Sequence, residues 1–190
     1  MRLSVATYEE PRAHAVRERY LDTFGGEGLP VPVEEIAEDL LGLRIEERPG
    51  MACSGMLLPA EWTIVVNPAE DAADDGRPIR RRRFTIAHEV GHWICHVVGA
   101  DRVAPVYCRA ADLAADADRV LEREANVFAA ELLMPEPAVR ATWEELRDVA
   151  TCSARFDVSP TAMQWRLYSF GLAPHGMDSA GGWTQTEETL

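Results

Sequence analysis

His88, Glu89 and His92 stand in the stretch Phe84-Thr-Ile-Ala-His-Glu-Val-Gly-His92, the pattern H-E-x-x-H. Imidazole nitrogens are good ligands for a divalent transition metal. Two histidines four residues apart on a helix lie one turn apart on one face, so both reach a single ion. The carboxylate between them falls on the same side, where it can serve as general base toward a water beside the metal. The chemistry such a set supports is metal-assisted hydrolysis.

Stepping at about 100° per residue from His88 puts Glu89 at ~100°, His92 at ~40° and His96 at ~80°. Ile86, Ala87, Val90, Ile94 and Val97 fall on the opposite arc, so the helix has an apolar back and a polar front. Three of the chain's five histidines stand on that front. Gly91, on the flank, leaves room for a neighbouring backbone. Short motifs of this kind also occur on helices that bind nothing, so a third ligand is the discriminating feature.

A catalytic zinc takes three protein ligands and keeps one position open, and His, His and Glu is one known set. Glu122 and Glu124 in the stretch Leu121–Leu133 are the candidates. Measured from Glu122, Asn126 lies at ~40°, Leu133 at ~20°, Ala129 at ~340° and Ala125 at ~300°, whereas Glu124 lies at ~200°. Glu122 is therefore expected on the packed face and Glu124 toward water. A carboxylate on a packed face requires a cation; the plainer alternative is an ion pair with Arg119 or Arg123. Asn126, one turn on, is placed to support His88 or His92 from behind. His96 lies about 12 Å from His88 along a straight helix, which favours a supporting or packing role over ligation.

The elements that must position these groups are legible in outline. Helices are expected over residues 11–24, 33–41, 80–98 and 116–133, with two or three shorter ones in 136–170. Residues 43–47, 54–58 and 62–66 have strand character and are expected to form a small antiparallel sheet. The expected class is α+β, mostly helical. The domain reading is an N-terminal helix and linker over 1–27, one domain over 28–172, and a flexible tail over 173–190.

The chain has 190 residues, 47% hydrophobic and 27% charged, enough for one domain with a sizeable core. A formal charge of -13, from 32 acidic against 19 basic residues, disfavours a sequence-independent grip on nucleic acid and suits a protein partner. No leader or membrane-spanning run is visible, and Cys53, Cys95, Cys108 and Cys152 are scattered. These features are read as a cytoplasmic protein with reduced thiols.

The chain resembles the ImmA/IrrE family of bacterial zinc peptidases. The resemblance rests on Arg83-Phe-Thr-Ile-Ala-His-Glu-Val-Gly-His92 and on Glu122-Arg-Glu-Ala-Asn-Val-Phe-Ala-Ala-Glu-Leu-Leu-Met-Pro135. Thr63-Ile-Val-Val-Asn67, Phe156-Asp-Val-Ser159 and Arg166-Leu167 add to it; together they span roughly residues 28–172. The resemblance implies a compact zincin-like fold of the gluzincin kind, with Zn2+ on His88, His92 and Glu122 and with Glu89 as catalytic glutamate. It also implies a protein substrate, a helix-turn-helix repressor whose cleavage frees genes of a DNA-damage response or of mobile-element transfer. At this length an appended sensor domain is not expected.

Other features have plainer readings beside sharper ones. The run Arg80–Arg83 is read as a solvated helix start paired with acids such as Asp71, Asp74 and Asp75, not as a nucleic-acid contact. Leu146–Leu172 has the rhythm of a helix-turn-helix, but the acidic charge favours packing over DNA reading. Cys53 as an inhibitory thiolate is set against an inert buried thiol. Trp143, Met163 and Trp165 are read as core. Tyr107, His96 and Tyr168 are candidates to stabilise an oxyanion, and a substrate strand is expected along an exposed sheet edge beside Trp62–Asn67. Against the endopeptidase stand two alternatives: a non-catalytic binding module of toxin–antitoxin or phage type, and a DNA-binding regulator using the C-terminal helices. An intact Glu89 favours the enzyme.

Overall fold

A computed structural model describes residues 10–68, 78–98, 107–108 and 116–173. In chain order these form α1 (Glu10–Phe24), α2 (Val33–Glu35, continued by a π turn Ile36–Leu40), β1 (Arg44–Glu47), β2 (Gly55–Leu58) and β3 (Thr63–Val66). Then come α3 (Pro78–His92, continued by a π turn Trp93–Val97), β4 (Tyr107–Cys108), α4 (Asp116–Leu133), α5 (Glu136–Leu146), α6 (Val149–Phe156) and α7 (Pro160–Ser169). The class is α+β, with helices predominating. The expected tail, apart from its first residue, and Asp71, Asp74 and Asp75 lie outside the described residues.

The sheet is mixed, not antiparallel, and has the order β1-β3-β2-β4. β2 and β3 form an antiparallel hairpin closed by the 3-10 turn Pro59–Glu61, whereas β1 runs parallel to β3. Apolar alternation fixes which face a strand buries but not its direction, and the long connection from β1 to β2 frees β1 from any hairpin. A consequence corrects the expected docking edge: β3 is hydrogen-bonded on both sides and is fully buried. A substrate strand cannot add beside Trp62–Asn67.

One core joins the layers. Ala13 and Val16 of α1, Ile64 of β3, Ile86 and Val90 of α3, and Phe128 and Leu132 of α4 are all buried in it. α3 and α4 pack backbone to backbone at Gly91, where a Cβ would stand 3.1 Å from both Cα and O of Ala125. Small residues at that crossing bring the two helices together. Phe156 and Val158 at the α6–α7 turn, with Met163 and Leu167 of α7, are buried in the same core, so the helix-turn-helix rhythm serves packing. Trp143 is partly buried against this core, but Trp165 is 58% exposed.

The arginine run ties α3 to its neighbours through acids distant in sequence. Arg82 meets Glu47 at 2.8 Å, and Arg83 donates to the carbonyl of Val31 at 2.7 Å. Arg80 and Arg83 each meet Asp157 at 3.5 Å. Arg80 and Arg83 are buried, so half of the run is structural and not a solvated face.

Candidate metal centre

His88 and His92 arise from the last two turns of α3, and Glu122 from the second turn of α4. Their ligating atoms all lie within 4.8 Å of one another. The two Nε2 atoms are 3.0 Å apart, His88 Nε2 is 3.2 Å from Glu122 Oε2, and His92 Nε2 is 3.0 Å from Glu122 Oε1. Ligands at about 2.0–2.1 Å around a tetrahedral ion stand roughly 3.3 Å apart, so the spacing suits such an ion.

The surrounding hydrogen bonds set the tautomers. Asn126 Oδ1 can only accept, so His88 Nδ1, 3.2 Å away, donates and its Nε2 carries a lone pair. Glu124 Oε2 accepts from His96 Nε2 at 2.8 Å, leaving His96 Nδ1 to accept from His92 Nδ1 at 3.1 Å. The Nε2 of His92 therefore also presents a lone pair. Two imidazole lone pairs and a carboxylate converge, and only a cation, whether a shared proton or a metal, can sit among them. The donor set fits a metal ion.

His96 is brought there by the π turn. Val98 N donates to Trp93 O at 2.9 Å, an i to i+5 bond that widens the helix after His92. The expected unbroken helix over 80–98 is thus corrected. So is the outward placing of Glu124: an ideal wheel takes no account of the widened turn or of the length of a glutamate side chain. Among the described residues the metal-competent group is His88, His92 and Glu122; His96 stands outside it, facing His92 and Glu124.

Glu89 is 1% exposed. It lies against Gly55 of β2, where a Cβ would stand 2.9 Å from its Oε1 and would collide with Thr85. A glycine inside a strand is a known sign of such close approach, but nothing in the sequence says which side chain needs the space. Tyr168 is 45% exposed on α7 beside Trp165; the side chain of Tyr107 lies outside the described residues.

The electrostatics agree with a cation site. Burial pushes the Glu122 carboxyl upward, but the His88 and His92 rings facing it, sharing a proton with it when no metal is bound, outweigh this and hold it at about 2. Burial pushes the His92 and His96 imidazoles below the usual histidine value, against the opposing pull of Glu122 and Glu124 respectively. Both rings are thereby biased toward the neutral form that ligates or relays.

Cys53 is disulfide-bonded, while Cys95 and Cys152 are in the reduced form. The expectation of four reduced thiols is corrected, and Cys53 supplies no thiolate to the centre.

Residues 54–168 match the IrrE N-terminal-like domain of the M78 peptidases. The chain belongs to this metallopeptidase family. It is 32% identical over 126 residues to the radiation response metalloprotease IrrE of Deinococcus radiodurans, a match covering 60% of this chain and 33% of that protein. The chain thus spans about a third of the relative's length. Its fold is similar to that of a Mycobacterium tuberculosis transcriptional regulator, with a TM-score of 0.55 at 19% identity, over 82% of this chain and 46% of that one. No helix among the described residues is long and apolar enough to cross a membrane.

Proposed function

We propose that this family member is a zinc-dependent endopeptidase acting in the cytoplasm on a helix-turn-helix repressor. His88 and His92, each through Nε2, and Glu122 through its carboxylate would hold Zn2+. Membership of a metallopeptidase family supports the reaction class, and the convergence of three lone-pair groups with their tautomers fixed from behind is the observation that carries the metal role.

When bound, zinc supplies a Lewis acid for the scissile carbonyl and a water whose pKa is near 7, against about 15.7 in bulk. Glu89 would act as general base toward the attacking water and return the proton to the departing amine. Its burial keeps competing solvent from the carboxylate and strengthens its interaction with the proton it carries. Asn126, and Glu124 through His96, hold the imidazoles in their ligating tautomer.

Glu89→Gln tests this reading. The variant is expected to bind zinc normally and to lose cleavage of a helix-turn-helix repressor encoded beside the gene. The wild-type chain should cleave that repressor, and a chelator should stop it. Undiminished turnover by the variant removes Glu89 from the mechanism. Tight binding of the repressor without cleavage by the wild-type chain would instead favour the non-catalytic module.

A further inference from the structure

A cleft of about 1200 Å³ opens from the metal centre between α4 and α7. Glu122, Asn126, Val127, Ala130 and Met134 line it from α4. Ala162, Trp165, Arg166 and Ser169 line it from α7. Both sets recur mostly at three- and four-residue spacing, the signature of a single helix face. The separation of the two helices is fixed at one end, where Arg166 Nε donates to the carbonyl of Met134 at 3.0 Å and the same guanidinium is bound to Glu131. The groove is therefore preformed, as binding clefts generally are.

Beyond the metal end the groove carries apolar groups with space between them. Ala130 and Ala162 line it from opposite helices, each with no more than a methyl group, while Phe84 of α3 adds an aromatic ring and Met134 a thioether. Val127 and Trp165, 37% and 58% exposed, line it from α4 and α7. Apolar side chains gathered along one cleft, unlike those scattered singly over a surface, mark a binding site. Their distance from the metal centre follows from the helices. Phe84 precedes His88 by one turn, about 6 Å along α3, and Ala130 follows Glu122 by about 12 Å along α4. An extended chain advances about 3.3 Å per residue, so these groups stand roughly two to four residues from a carbonyl held at the metal centre.

We infer that the groove between α4 and α7 is a specificity pocket that seats a large aliphatic side chain of an extended substrate peptide, two to four residues from the scissile bond. The inference rests on the endopeptidase reading and adds a determinant of its substrate class. The occupant is a peptide because the groove is continuous with the metal centre through Glu122: a chain whose carbonyl sits at the metal must leave along it. A leucine side chain entering between Ala130 and Ala162 exchanges water for contact with Phe84 and Met134, and the gain scales with the apolar area covered. The flexible thioether of Met134 adapts to the shape of that side chain.

The test is binding, so that it does not depend on turnover. Zinc-loaded full-length Glu89→Gln chain is titrated by fluorescence anisotropy with labelled peptides of about seven residues, long enough in extended form to pass the pocket. Each carries a hydroxamate at one end, which chelates zinc and fixes the register, and a single leucine moved residue by residue through a serine background. Series with the hydroxamate at the C-terminus and at the N-terminus cover both chain directions. In one series, leucine at the second to fourth position is expected to bind on the order of ten-fold tighter than serine there. Leucine beside the hydroxamate, or further out, should give no such margin. Ala130→Phe and, separately, Ala162→Phe fill the groove from opposite walls. Each should remove the leucine margin, leave the all-serine peptide unchanged and keep the melting temperature.

Equal binding of the leucine and serine peptides, a margin independent of where the leucine stands, or a margin that survives both alanine replacements each overturns the inference. So does absence of measurable binding by every leucine peptide. Dimerisation of the chain in sedimentation, abolished by Ala130→Phe, would make the groove an interface between copies and overturns it as well. If zinc fails to tighten any hydroxamate while the leucine margin and its loss in the filled variants remain, the metal reading fails and the pocket stands. Failure of the wild-type chain to cleave any peptide counts against the endopeptidase reading alone.

Discussion

The backbone of Gly55 lies directly against the side chain of Glu89, so close that a single added methyl would meet Glu89 Oε1 at 2.9 Å and collide with Thr85. The sheet therefore fixes the position of a carboxylate carried by a helix. Gly55→Ala is expected to push Glu89 aside while leaving His88, His92 and Glu122 in place. A displacement on the order of 1 Å at a reacting group costs about 10²-fold in rate. Turnover should fall by about that factor with zinc content unchanged. Loss of zinc together with activity would show that the substitution disturbs the helix and not the carboxylate alone.

The second prediction concerns the chain of contacts from Glu124 through His96 to His92. Removing an outer partner of a ligating histidine typically costs about 10–100-fold in metal affinity. Glu124→Ala and His96→Leu should each weaken zinc binding in that range, measured by competition with a chromophoric chelator. Glu124→Gln keeps an acceptor for His96 and should recover part of the loss. Asn126→Ala should act in the same direction through His88. Unchanged affinity in all of these variants would mean that the tautomers are set by the metal itself.

The candidate site was more legible than the sheet. The spacing of His88, Glu89 and His92 places them on one face of any helix, and the neighbours of Glu122 mark it as inward-facing. The small residues at Gly91 and Ala125 announce a close crossing. Glu124 was not legible, because its partner His96 depends on a π turn that has no sequence signature comparable to a cap or a proline. The direction of β1 and the pairing of Arg80 and Arg83 with Asp157 were hidden for another reason. Both are contacts across long stretches of chain, and local periodicity carries no information about them.

Acidification of the metal-free chain gives a third prediction. Burial lowers His92 and His96 from 6.5 in the folded state. A group with a depressed histidine pKa favours folding while neutral, so its contribution is complete above pH 6.5 and declines as pH falls below it. Glu122, held at about 2 against 4.5 when unfolded, contributes above pH 4.5 and loses that contribution as pH falls toward 2. The melting temperature of metal-free protein should therefore drop first below pH 6.5 and again below pH 4.5. Replacing His96 with leucine should blunt the first drop. A flat profile from pH 7 to 5 would contradict the burial argument for both imidazoles.

The crossing of α3 and α4 gives the last prediction. Glu122 can face the histidines only because Gly91 lets Ala125 come within van der Waals contact of the α3 backbone, and Phe128 Cδ1 would stand 3.2 Å from any Cβ at that position. Ala125 and Phe128 are fully buried, so neither can move aside without disturbing the core. Gly91→Val forces the helices apart and overpacks a dense contact, at a cost of about 1–3 kcal/mol. Better intrinsic helix propensity than glycine offsets only a few tenths of that. The variant should melt lower and also bind zinc more weakly, because Glu122 sits on the helix that is displaced. A core variant of at least that cost elsewhere, such as Leu167→Ala on α7, should lower the melting temperature without that loss of zinc affinity. If the two variants lose zinc equally, overall stability governs the site, and the helix crossing has no special part in assembling it.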